Sequence, residues 1–173
     1  MNKTSLNILL SALILIPAQA IFFNNMVLFN VAVPIVFIYI IIKLPITYSS
    51  PLTTTIGFLC GLAVDILSDT PGMNALGCTL LAFMQRGIFH LYVSNDIDLA
   101  EQCPSPKNLG PATFMKYSLT MTAIYCIIIF SIEAIQLFNI KLLILRIIAS
   151  IIYSFVLIYA IAGISVTNHE KRL

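Results

Sequence analysis

Two aspartates four residues apart, Asp65 and Asp69, interrupt a chain that is otherwise poor in charge. They stand in GLAVDILSDTPGMNALG, residues 61–77, where an apolar run from Pro51 ends and another begins. Carboxylates can serve as general acids and bases, but a lone one in apolar surroundings is costly. Catalysis would require a second acid, a histidine or an activated nucleophile at the same depth. His90 lies toward the far end of the next apolar run and His169 in the C-terminal tail. Hydroxyls such as Ser118, Thr122, Ser150 and Ser154 are scattered along apolar runs, where bonding between helices is their ordinary use. Cys60, Cys78, Cys103 and Cys126 show no C-x-x-C or histidine spacing, so they read as small, mostly buried residues. The expectation is a protein that is not an enzyme and uses no metal or cofactor.

Asp65 then has three readings. Its carboxylate can accept hydrogen bonds from the turn and from the first free amides of the next helix. It can pair with Arg146, for which Glu133 competes. It can line a polar transport pathway.

The elements that position these residues belong to a membrane. Of 173 residues, 60% are hydrophobic and 9% charged, with mean hydropathy +1.01. A soluble domain carries roughly 25% charged residues. A net charge of +2 with no basic run excludes nucleic acid as a partner. Six apolar runs are marked, approximately 6–23, 28–44, 51–67, 73–92, 117–135 and 142–164. They predict an all-α polytopic bundle of about six transmembrane helices with no separate soluble domain. Pro51 suits a first helical turn, whereas Pro17 and Pro34 fall inside apolar runs. Residues 93–116 read as an irregular loop.

With six spans, Lys3, Lys43, Arg86, Lys107, Lys116, Lys171 and Arg172 fall on one side, and only Lys141 and Arg146 on the other. Positive charge collects on the cytoplasmic side, which predicts cytoplasmic termini. Tyr48, Tyr92 and Tyr117 fall near the cytoplasmic boundaries, as an aromatic belt would have them. The start also fits a leader with an A-x-A site at Ala18–Ala20. The apolar stretch continues through Phe23, which favours a retained first span.

Steps of four give Thr53, Gly57, Gly61, Asp65 and Asp69 on one face of the third run. Gly57 and Gly61 form a G-x-x-x-G pair that admits a close neighbour. Asn74, Cys78, Ala82 and Arg86 make the matching stripe on the fourth run. The short Pro71-Gly72 turn predicts an antiparallel hairpin on the external side.

Residues 57–83, GFLCGLAVDILSDTPGMNALGCTLLAF, resemble the signature hairpin of the MreD family, the bacterial rod shape-determining membrane proteins. Gly61, Leu62 and Asp65 match its G-L-x-x-D, and Gly72, Asn74, Ala75 and Leu76 match the glycine and x-[HN]-A-L that open the next helix. Gln19 and the segment Pro34–Pro45 are also similar to that family. The resemblance implies a non-enzymatic protein of the bacterial inner membrane. Its partners would be an MreC-like membrane protein, MreB linked through the complex, and peptidoglycan elongation enzymes. The family is similar in fold to the substrate-binding membrane subunits of vitamin transporters. The alternative is therefore a small-molecule, vitamin-type binder, for which Asn24, Asn25, Asp65, Asn74, Glu133, Gln136, Asn139 and Arg146 supply polar groups.

Overall fold

Ser49 in extended conformation, followed by Pro51 in the first turn, starts α3, Ser50–Ser68. The hydroxyls of Thr53, Thr54 and Thr55 donate back to the carbonyls of Ser49, Ser50 and Pro51 at 3.2, 2.8 and 2.8 Å, so none meets the bilayer unpaired. Asp69 closes the helix in the left-handed region (φ 54°). Gly72, at φ 74°, opens α4, Met73–His90. Two positive-φ residues within four positions turn the chain back on itself.

The computed structural model describes residues 3–23, 26, 32–70, 72–93, 103–134 and 140–170. The remaining helices are α1 (Lys3–Ile21), α2 (Tyr39–Ile42), α5 (Pro106–Leu109), α6 (Pro111–Ala134) and α7 (Ile140–Glu170). The protein is an all-α, membrane-spanning helical protein. Among the described residues, three helical stretches are long and apolar enough to cross a bilayer: Ser50–Ser68, Pro111–Ala134 and Ile140–Gly163. α1 adds a shorter apolar piece, Ile8–Ile21. Large apolar side chains such as Leu13, Ile66, Phe83 and Ile152 point outward and suit a lipid surface.

The second apolar run departs from expectation. Over its described part, residues 32–44, it is not a continuous helix: residues 33–36 are irregular and only Tyr39–Ile42 form a helical turn. Pro34 lacks an amide hydrogen and disfavours helical geometry at Val33. The segment occupies the middle of the bundle, with Val36, Phe37, Ile38, Ile40, Ile41 and Ile42 each at most 1% exposed. Irregular backbone survives at membrane depth only when buried in protein, and here it is surrounded by α1, α4 and α7, whose side chains bond to it.

The stretch 111–116 also differs, being helical rather than loop. Gly110, at φ 82°, separates α5 from α6, and Pro111 is the first residue of α6. α6 buries Phe114, Tyr117, Ser118, Met121, Thr122 and Tyr125 at helical spacing. Phe89 of α4 meets Tyr117 edge-on at 5.7 Å. Tyr117 is thus a core residue with no exposed surface, not a member of an aromatic belt.

Candidate functional site: the Asp65 knot and the cavity beside it

The α3–α4 contact is as close as two backbones allow. A Cβ on Gly57 would lie 2.6 Å from the Cβ of Ala82 and 2.8 Å from the carbonyl oxygen of Cys78. A Cβ on Gly61 would overlap the carbonyl of Asn74 and lie 2.6 Å from the Cα of Ala75. Lipid tails are as apolar as leucine, so helices in a bilayer associate through close packing, and glycine permits it.

That approach brings Asp65, only 3% exposed, to the first turn of α4. Its Oδ1 accepts from the hydroxyl of Thr70, the backbone amide of Asn74 (3.1 Å) and the side-chain amide of Asn74 (3.0 Å). Its Oδ2 accepts from the amide of Ala75 at 2.8 Å. Asn74 and Ala75 are the second and third residues of α4, whose free amides and positive dipole end favour a carboxylate. Asp65 therefore caps the neighbouring helix. Asn74 extends the network, because its Oδ1 accepts from the Tyr125 hydroxyl at 2.7 Å. One chain of bonds ties α3, α4 and α6.

Arg146 is not bonded to Asp65. Its Nη1 donates to Glu133 at 2.7 Å, and its guanidinium lies over the Phe130 ring, 5.5 Å from the centroid. The ion-pair reading of Asp65 is thereby corrected: Glu133, in the last turn of α6, takes the arginine across the α6–α7 contact. Asp69 is exposed and serves as the turn residue. Pro71, Asn24, Asn25, Gln136 and Asn139 lie outside the described residues.

Beside the knot is a cavity of about 330 Å³. Val33, Ile35, Phe37, Val64, Ile129 and Phe130 form much of its wall, with Gln19, Thr70, Asn74, Glu133 and Arg146 as its polar groups. Among the described residues, no group of three or more His, Cys, Asp or Glu side chains is placed to hold a metal.

The irregular second segment is held by residues to which the sequence reading gave no such task. Gln19, 2% exposed, donates to the Pro34 carbonyl and accepts from the Val36 amide, both at 2.8 Å. Ser150 and Ser154 of α7 accept from the amides of Val33 (3.0 Å) and Ile35 (2.8 Å). At the other end Gln85 donates to the carbonyls of Ile41 and Leu44, both at 3.0 Å, and Arg86 donates to Ile46 at 3.1 Å. The available signal was a set of polar side chains at membrane depth, with Ser150 and Ser154 four apart, beside a run containing Pro34.

No family model, no curated protein and no solved structure matches this chain.

Proposed function

We propose that this protein is a non-enzymatic component of the bacterial cell-elongation machinery. It helps organise lateral peptidoglycan synthesis and maintain rod shape through MreC-like and MreB-linked partners and the elongation enzymes. One observation carries the reading: the residues of the MreD-like hairpin act as a single bonded unit. Gly61 admits the partner helix, Asp65 caps it, Gly72 turns the chain, and Asn74 and Ala75 receive the cap. A part that works by holding partners needs such a rigid element.

In this reading the protein lies in the inner membrane as a bundle of about six crossings. The partly unwound second segment is one of them, the termini are cytoplasmic and the α3–α4 turn is external. Depletion in a rod-shaped native host gives rounded, swelling cells with disorganised lateral wall growth, and added vitamins do not rescue them. Normal shape on depletion, with growth restored by one supplied vitamin, transfers the function to a vitamin-type transporter subunit. The cavity among the helices is the observation favouring that second reading. Affinity isolation in mild detergent identifies the partners directly.

A further inference from the structure

The end of the bundle opposite the Asp65 knot carries cations with no acid beside them among the described residues. Arg86, four residues before the end of α4, is exposed. Its Nη2 donates to the Ile46 carbonyl at 3.1 Å, a neutral partner. Lys43 and Lys116 stand at the same end. Lys43 lies between Ile41 and Leu44, whose carbonyls accept from Gln85, and its ammonium is over the Tyr39 ring. Lys116 is exposed and adjoins Tyr117, which meets Phe89 of α4.

The depth of Arg86 follows from α3. That helix has 19 residues, about 28 Å of rise, close to the roughly 30 Å of a hydrocarbon core. Its first turn therefore lies at one edge of the apolar band. Arg86 shares a shallow crevice with Ser50 and Thr53 of that turn, so its charge sits at the level of lipid headgroups. Phe83, one turn back on the same face of α4, is 66% exposed and suits lipid tails. A guanidinium at this border, bonded only to a carbonyl, gains from a counter-anion, and a phosphate matches its fork of donors. The crevice has room for about one water, about 10 Å³, so the anion lies over it rather than in a pocket. A zwitterionic headgroup would bring an ammonium toward the cations of this end, whereas a net negative one would not. We propose that Arg86 and the surface beside it bind an anionic phospholipid, with the headgroup phosphate on the guanidinium and an acyl chain along Phe83. This assignment is independent of either role given above.

The test uses the full chain, purified in detergent and offered an equimolar mixture of phosphatidylglycerol and phosphatidylcholine with identical acyl chains. Lipid retained on the protein is counted by native mass spectrometry. The expected result is a preference of about fivefold for phosphatidylglycerol, the ratio that corresponds to roughly 1 kcal/mol for one basic residue at an anionic surface. Arg86→Gln abolishes most of that preference. Lys141→Gln, which removes an exposed cation at the knot end, preserves it. A phosphatidylglycerol with a diazirine in its acyl chain labels peptides containing Phe83 in the unaltered protein, which decides the site if Arg86→Gln does not fold. Equal retention of the two lipids, an equal loss of preference in both variants, or labelling that misses Phe83 overturns the proposal. Displacement of phosphatidylglycerol by millimolar inorganic phosphate assigns a soluble anion to Arg86 and overturns it too. Cell shape on depletion is a separate readout, so this failure leaves the elongation role standing.

Discussion

At Asp65 the number and kind of donors decide the role. Two main-chain amides, one side-chain amide and one hydroxyl converge on its two oxygens. Asp65→Leu abandons these donors in a buried site and is expected to cost about 2–4 kcal/mol in detergent melting. Asp65→Asn keeps the shape and one acceptor, so its loss is smaller, about 1–2 kcal/mol. Tolerance of both would deny the cap. Asp65→Asn and Arg146→Gln share no hydrogen-bond partner, so their effects add to within about 0.5 kcal/mol in a double-mutant cycle. Asp65→Asn and Tyr125→Phe, joined through Asn74, couple by more than that. Spacing alone placed Asp65 on the glycine face. The choice between turn amides and Arg146 depended on Glu133, whose position relative to Arg146 follows from how α6 and α7 pack.

Among the elements, the α3–α4 hairpin and the second segment place opposite demands on sequence. In the hairpin, the backbone must come close. Gly61→Leu collides with main-chain atoms of Asn74 and Ala75, and the expected loss is at least about 1–3 kcal/mol, with reduced yield. Gly72→Ala meets no atom but must hold φ 74°, which costs about 1–2 kcal/mol. Gly87→Ala, in open space on a helix, is neutral or stabilising by up to about 1 kcal/mol. These three melting shifts separate contact, conformation and propensity. In the second segment, side chains replace the helix ladder. Amide exchange is therefore expected to be slow at Val33, Ile35 and Val36 although none lies in a helix, and Gln19→Leu or Ser154→Ala accelerates it. Fast exchange at these amides in the unaltered protein would contradict the observed bonds. The hairpin was legible because glycines and a carboxylate at spacing four are local signals. The unwound segment was not, since the same isoleucine-rich run suits a lipid-facing helix equally well.

For the whole molecule, the contact of Phe89 with Tyr117 and the Asn74–Tyr125 bond set α4 and α6 antiparallel. The Arg146–Glu133 pair joins α6 to α7 at the end where the Asp65 knot lies. Under the proposed orientation, reporter fusions at 95–110 are cytoplasmic and those at 68–72 external. A reversed pair of signals would overturn that orientation and the role of the basic residues in setting it. What the sequence determined by itself is the solvent: 60% hydrophobic and 9% charged residues require a bilayer and helices that satisfy their own backbone. It also determined the local device in which Gly57, Gly61 and Asp65 share a face, because helical spacing is a property of one element. Tertiary structure decided the rest. That Gln19, Gln85, Ser150 and Ser154 hold an irregular segment in the core, and that Arg146 pairs with Glu133 beside a cavity, are relations between different elements of the chain. A buried hydrogen bond needs its partner within about 3 Å, and only packing brings residues more than a hundred positions apart to that distance.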